Sequence, residues 1–542
     1  MHLPTSRAGQ RGRQAGSWRV AGVLVIAALA FGCASQYEKW ADRDAYPVID
    51  EYQKKVADSR PKETPPGVIT PKPEGPEMSV PQVAQTGGPV ERITLKQALA
   101  LAFSSSRVFK LQKESLYLSA LGYAASLRSY QWKPGGTLSA STSANGSGGS
   151  ATVISAGADA TLTLTRKLLT GGTFSLEGGL HQAGDVENAE DSASSTGKVS
   201  FTQPLLEGAG VAAREEFIQL KRGMLNTLRG FETFRQQLVI DTMSRYYGLI
   251  RAKQGIDNAR ARVDTAKFNY ERAQALFDKG MWTSAQVLQM EQDKLQAEIG
   301  LTDAVEAYNV EIDRFKFELG ISSDKNFEVA DEGITPEIVN VNLEEAVKTA
   351  LANRFDIIQA RESLGDSERS VAIARNRLLP QLQFTANAGI TSDADGHLWD
   401  WSIDPNGTAS AGLTLQIPID NKPDRDAYKG AVIRLTQQRR AYDQKEEEVR
   451  LSVRQTVRKL RQAEVRIVTQ TKSVESAQKW REATQLLFEK GQKSARDIVD
   501  VEKALQDAKD ALVQAQVDYV MSSIQLRKEL GTLVVDESGN WR

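Results

Sequence analysis

One long pattern occurs twice in this chain. Shifted by 211 residues, Phe277-Asp278-Lys279-Gly280 falls on Phe488-Glu489-Lys490-Gly491, and the register holds without a gap to Glu318-Leu319-Gly320 over Glu529-Leu530-Gly531. Further upstream the shift is 248: Leu95-Lys96-Gln97-Ala98 meets Leu343-Glu344-Glu345-Ala346, and Glu114-Ser115-Leu116 meets Glu362-Ser363-Leu364. Between those stretches the first unit carries 37 residues (248 less 211) that the second lacks. A duplication on this scale restricts the fold to two versions of one supersecondary unit.

Most of each unit is helical by pattern. No proline occurs from Leu205 to Thr335, nor after Pro423. Ile498, Val501, Leu505, Ala508, Leu512, Ala515 and Tyr519 recur at alternating spacings of three and four, the seam of a coiled coil. Val287, Met290, Lys294, Ala297, Leu301, Ala304 and Tyr308 repeat that seam in the first unit, with Lys294 its one misfit. A helix from about Ala212 to Lys279 would run ~100 Å. The return helix, Ser284 to Leu319, covers about half of that, and a helix from about Arg107 to Trp132 adds ~40 Å. Two short helices stacked end to end thus match one long one. The second unit has the same parts at about Asp424 to Lys490, Ala495 to Leu530 and Phe355 to Leu379.

Between the short and the long helix the period changes to two. Leu382, Phe384, Ala386, Ala388 and Ile390 alternate with polar residues or glycine, and so do Ala409, Ala411, Leu413, Leu415 and Ile417. Strands of about ten residues cross a bilayer at a tilt. Trp399 and Trp401 fall in the loop between them, where an interfacial aromatic would sit. In the first unit Thr161 to Thr165, Phe174 with Leu176, and Val199 with Phe201 show the same alternation. The Ser/Gly-rich stretch from Asn145 to Ser150 and the acidic one from Asp185 to Asp191 read as loops. The additional residues fit an extra hairpin turning at Thr170-Gly171-Gly172.

Arg7, Arg11, Arg13 and Arg19 precede an apolar run from Val20 to Phe31, then Gly32 and the only cysteine, Cys33. The run is too short to span a bilayer and reads as a secretory signal over 1–32. A small residue before the cysteine suggests lipoprotein processing, with Cys33 acylated; ordinary cleavage near Ala34 is the alternative. Residues 34–90 hold nine of the 17 prolines, which predicts an extended, solvated linker. The 68 basic and 69 acidic residues nearly cancel, so no charge imbalance favours nucleic acid. The three histidines are scattered without ligand-like spacing, and no metal site, cofactor or catalytic constellation is expected.

Two hairpins cannot close a barrel, and lipid does not tolerate an open sheet edge. Association of several copies into a ring removes every edge. The expected architecture is mostly α with β: a duplicated helix–β-hairpin–helix unit, assembled into a tube with strands in the membrane and helices in the periplasm. Domain limits follow as 33–90 for the lipidated N-terminus and linker, 91–335 and 336–532 for the two units, and 533–542 for a tail. The hairpin regions fall at about 135–204 and 381–419.

Across roughly 92–532 the chain resembles the TolC-type outer-membrane efflux protein family. The resemblance rests on the duplicated unit, on the strand exits Gln203-Pro204-Leu205-Leu206-Glu207-Gly208 and Ile417-Pro418-Ile419-Asp420, and on the second tip, Phe488-x-x-Gly491 followed by Asp497-Ile498. It implies a homotrimer with four strands per chain in one shared barrel, continued by a twelve-helix coiled-coil tunnel. A periplasmic adaptor and an inner-membrane pump are implied as partners. The tip residues Gly280, Met281, Trp282, Gly491 and Gln492 would dock the adaptor, with Trp282 as an exposed anchor. Asp497 and Asp500, three apart on one helical face, match the family's acidic ring at the periplasmic entrance, where like charges would raise the carboxylate pKa values. Phe488, Lys493 and Gln286 occupy gate positions where the family uses other side chains, which implies a different or weaker latch. A structural coiled-coil envelope lipoprotein without a pore is the competing expectation, and it has no use for lipid-length strands.

Overall fold

The computed structural model describes residues 34–58, 69–71, 91–145, 153–185, 191–322, 327–330, 334, 336–394, 406–490, 492–536 and 539–541. In chain order it begins with α1 (Ala34–Asp58), β1 (Ile69–Pro71) and β2 (Glu91–Ile93). The first unit continues with α2 (Leu95–Ser105), α3 (Arg107–Leu127), β3 (Lys133–Asn145), β4 (Val153–Lys167), β5 (Thr173–Asp185), β6 (Asp191–Pro204), α4 (Val211–Asp278) and α5 (Ser284–Leu319). After β7 (Phe327–Val329) and β8 (Val339–Val341), the second unit runs through α6 (Leu343–Asn353), α7 (Phe355–Asn376), β9 (Gln381–Ala394), β10 (Asn406–Gln416), α8 (Lys422–Glu489) and α9 (Ala495–Glu529). Both long helices, α4 and α8, have 68 residues.

The strands form one antiparallel sheet in the order β10-β9-β6-β5-β4-β3. Its register sorts the side chains cleanly. Leu138 faces Ala160, Leu164 faces Leu176, Leu176 faces Val199, Val199 faces Ala388, and Ala388 faces Ala409, so one apolar row crosses from strand to strand. The opposite face carries Thr161, Thr163, Glu177, Lys198, Thr385, Asn387, Ser410 and Thr414. Leu138, Leu162, Leu180, Ile390, Leu413 and Leu415 are exposed, as lipid-facing positions of a barrel wall would be in a single chain.

Each unit closes the same way below the sheet. Gly320 and Gly531 end the return helices with φ of 72° and 69°, conformations that suit a residue without Cβ. A Cβ on Gly320 would stand 2.4 Å from the Ser105 carbonyl oxygen, and one on Gly531 2.9 Å from the Asn353 carbonyl carbon. Ser105 and Asn353 end α2 and α6 at equivalent positions. Around these closures lie two cores. The first gathers Leu99, Phe103, Met243, Tyr246, Phe315 and Leu319, the second Val341, Ala346, Val453, Tyr519, Leu526 and Leu530. The units are bolted together above the cores, where Arg229 donates to both carboxylate oxygens of Glu362 at 2.7 and 3.0 Å and Arg369 to Glu215 at 2.7 Å. Fork-to-fork pairing of this kind fixes orientation as well as distance.

Two expectations are corrected. The N-terminal segment is not a wholly extended linker: residues 34–58 form a helix. Ala45, Ile49, Tyr52 and Val56 recur at helical spacing and are buried against Leu116, Ala120, Tyr123, Met224 and Leu228. The Tyr52 and Tyr123 hydroxyls share a hydrogen bond of 2.9 Å. Apolar periodicity prevailed over a proline count, and the helix accommodates Pro47. Further along, β1 pairs with β8. The second correction concerns the sheet, which among the described residues has six strands rather than four, because the extra hairpin β4–β5 lies inside it. Cys33, Trp399 and Trp401, with most of the residues read as strand-connecting loops, lie outside the described residues.

Candidate functional site at the helical tips

The two long helices turn back at the end opposite the sheet. At the first tip, Gly280 takes φ 68°, and the Met281 N–H reaches the Leu276 carbonyl at 2.9 Å, closing the last turn of α4. Thr283 then starts α5 with a reciprocal cap, its N–H donating to Gln286 Oε1 at 2.9 Å. The Gln286 side chain is thus engaged in starting its own helix. At the second tip the Gln492 N–H reaches the Leu487 carbonyl at 2.9 Å. Ser494 caps α9, with Asp497 returning the bond. Gly491 lies outside the described residues.

Asp497 accepts hydrogen bonds from the Ser494 N–H at 2.8 Å and the Ser494 hydroxyl at 2.7 Å, and from Lys493 Nζ at 3.3 Å. These donors favour the charged form and hold its carboxyl at about 2. Within one chain the shift is therefore opposite to the rise expected from an acidic ring, because capping donors surround the carboxylate. Asp500 is exposed, with Arg496 Nε 4.0 Å from its carboxylate. The seam residues Ile498 and Val501, each directly after one of the two acids, are buried and face the other way. Each carboxylate thus has a cation one turn before it, and Lys493 pairs along α9 rather than across the tips.

Trp282 departs from the exposed anchor expected of it. Its ring packs edge-on against Phe488, with centroids 5.5 Å apart and planes at 87°. The Arg272 guanidinium stands 5.2 Å from the Phe488 centroid and pairs with Glu489 at 3.7 Å. The partners of Phe488 are therefore a cation and an indole from the first unit, contacts that need no hydroxyl. The two tips are joined by this stack beside a small core of Ala273, Val287 and Met290. At the end of the column Met281 is exposed.

Farther from the tips lies a charged contact that the sequence reading did not single out. Arg262 of α4 pairs with Asp293 of α5 at 3.0 Å. Burial pushes the Asp293 carboxyl up against the opposing pull of Arg262. Glu502 of α9 is likewise raised by burial, opposed by Arg481, Lys509 and Arg262. The usable signal was residue type: three charged groups placed where four helices come together. Lys294, the misfit in the seam, is accommodated 5.4 Å over the Tyr270 ring and 3.8 Å from Glu298. Also missed was an aromatic cluster at the helix end of the sheet. There Trp132 meets Phe174 at 5.5 Å and Phe201 meets Phe384 at 6.2 Å, a girdle suited to a membrane interface.

Among the described residues no group of side chains could hold a metal ion, and no helix is long and apolar enough to cross a membrane. The geometry sets a two-faced sheet at one end, and tips carrying carboxylates and an aromatic–cation stack at the other. Comparison with known proteins adds to this. Residues 346–532 match the family described as outer membrane efflux protein. The chain is 25% identical over 363 residues to the alkaline protease secretion protein AprF of Pseudomonas aeruginosa, covering 65% of this chain and 72% of that one. It is 25% identical over 329 residues to the outer membrane protein TolC of Escherichia coli, covering 56% and 63% respectively. The solved transmembrane channel CusC superposes with a TM-score of 0.60 at 16% identity, over 85% of this chain and 99% of that one. The second unit thus resembles the outer membrane efflux protein family, and the likeness to these relatives extends beyond it.

Proposed function

We propose that this chain is one third of a passive, gated exit duct in the outer membrane, the terminal part of a tripartite efflux or type I secretion system. The observation that carries the reading is the single sheet with one apolar and one polar face, set on two helical columns of ~100 Å. A sheet with exposed leucines on one side belongs in lipid, and its open edges require neighbouring copies. Exposed apolar side chains along the columns, Val310 and Phe317 on α5 and Leu451, Val465 and Val468 on α8, also suit burial between copies. A brace without a pore leaves both features unused.

Within this reading Asp497 and Asp500 of three chains ring the periplasmic entrance, and the Arg272–Phe488–Trp282 stack is the latch that holds it closed. The tip residues Gly280, Met281, Gly491 and Gln492 meet a periplasmic adaptor, with Trp282 setting the shape of the turn. An inner-membrane pump supplies the energy, and the chain itself performs no catalysis. Residues 1–32 are removed on export and Cys33 carries the lipid. The two duplicated units, 91–335 and 336–532, are the working domains. The test is purification from outer membranes, followed by chemical cross-linking and planar-bilayer recording. The expected result is a trimer that conducts ions; a monomer without current would overturn the reading.

A further inference from the structure

Most of the 37 extra residues of the first unit are accounted for by the hairpin β4–β5, which takes a full place in the sheet. It pairs along its whole length on both sides: β4 with β3 from Lys133↔Thr165 to Asn145↔Val153, and β5 with β6 from Thr173↔Thr202 to Gly184↔Asp191. Its helix-side turn is fastened to both neighbours. The Thr170 hydroxyl donates to Gln203 Oε1 at 2.8 Å, Gln203 Nε2 donates to the Thr170 carbonyl at 3.0 Å, and Arg166 Nε donates to the Tyr130 carbonyl at 3.3 Å. Lys167 also pairs with Glu216 of α4.

We propose that β4–β5 is part of the pore wall, so that three copies close an eighteen-stranded barrel whose polar lumen is lined by charges on the inserted hairpin. This rests on the trimer proposed above. Parity supports it. The six strands alternate in direction, so β3 and β10, the two edges of the sheet, run opposite ways. The β10 edge of one copy then meets the β3 edge of the next in antiparallel register, and the ring closes. Inserting one strand would break that closure; inserting a hairpin preserves it. The faces support it too. Leu162, Leu164, Leu176 and Leu180 of the hairpin share the apolar row with Leu138, Val199, Ala388 and Ala409. A hairpin folded outside the barrel would have no reason to keep that phase.

Barrel diameter grows roughly linearly with strand number, and walls of 16–18 strands leave an aqueous channel. Relative to a wall of four strands per chain, this one is wider by about half. The insertion also changes the chemistry of the lumen. Asp159 of β4 pairs with His181 of β5 and accepts a hydrogen bond from the Ser139 hydroxyl at 3.3 Å. Glu177 of β5 stands opposite Lys198 of β6 in register. The polar faces of β9 and β10 offer mainly Thr, Ser, Asn and Gln, such as Thr385, Asn387, Ser410 and Thr414. The inserted hairpin therefore adds the carboxylates of Asp159 and Glu177 to a polar face on which β3 and β6 carry Lys133 and Lys198, and makes this part of the lumen selective by charge for polar solutes.

Thiol scanning of the full chain in outer membranes tests this, with unsubstituted protein as the background for Cys33. Thr163→Cys and Ser175→Cys place thiols on the polar face, and Leu162→Cys and Leu176→Cys on the apolar one. A charged, membrane-impermeant thiol reagent is expected to label the first pair and to shift single-channel current on labelling, and to leave the second pair unlabelled. A cross-section of the same trimer by electron cryomicroscopy is expected to count eighteen strands. A conducting trimer with twelve strands, or with both faces labelled alike, would overturn the proposal while leaving the exit duct intact. A monomer that passes no current would overturn both.

Discussion

The two units differ most at one end and least along their columns. Above, the first unit has four strands where the second has two. Below, the long helices are equal at 68 residues, and the return helices have 36 and 35. A barrel wall lengthens by whole hairpins without disturbing its neighbours, since each strand needs only an antiparallel partner on either side. A helical column has no such freedom: one inserted residue rotates every later side chain by about 100° out of the seam. The duplication is therefore legible in the helices, and the difference between the units collects in the sheet.

The largest expected effect comes from the closures that the units share. Gly320→Ala and Gly531→Ala each impose left-handed strain of about 1–3 kcal/mol, and Gly320 adds the overlap with Ser105. Thermal unfolding of the detergent-extracted protein should show both variants destabilised, Gly320→Ala the more. Equal, negligible shifts would break the equivalence of the two closures.

Equivalent tyrosines should behave oppositely. The Tyr519 hydroxyl accepts a hydrogen bond from the Val339 N–H at 2.9 Å, whereas the Tyr308 hydroxyl is buried without a partner. Burial also pushes the Tyr308 hydroxyl up to about 12. Tyr519→Phe leaves a buried donor unsatisfied and should cost about 1–3 kcal/mol, while Tyr308→Phe should be neutral or stabilising. Denaturant titration of the two variants distinguishes them, and a loss of similar size in both would contradict the asymmetry.

Only the second unit supplies an acidic pair at its tip. Asp497→Ala with Asp500→Ala should weaken block by multivalent cations in bilayer recordings, and Asp497→Asn with Asp500→Asn, which keeps capping acceptors, should do the same. Unchanged block in both double variants would remove the ring assignment.

The smallest effect is on pH, and its sign differs between the two carboxylate environments. Asp293 and Glu502 have raised pKa values in the folded chain. Their contribution is greatest below the ordinary carboxylate range and is lost as pH rises through the shifted values. Asp497, held at about 2, contributes above its ordinary value and loses that contribution as pH falls toward about 2. Stability followed against pH should lose the first slope in Asp293→Asn with Glu502→Gln, and the second in Asp497→Asn.

Helix limits were legible because stop and start signals flank them. Lys279-Gly280 ends α4, and Thr283 with Gln286 starts α5 at the expected Ser284. Strand alternation was legible as well, but it could not say which strand the extra hairpin would pair with, since pairing is non-local. The helix of residues 34–58 was hidden by the prolines around it, although Ala45, Ile49, Tyr52 and Val56 carried its period. At the site, Asp497 and Asp500 could be placed on α9 from spacing alone. The partner of Trp282 could not, because Phe488 is far away in sequence and meets it only once both columns have folded.

The most direct test of the account is the current carried by the purified protein in a planar bilayer, recorded before and after a trivalent cation is added on the tip side. The account predicts discrete channel steps from a trimer, reduced by the cation from that side. A pure, folded sample that inserts into the bilayer and carries no current would contradict it.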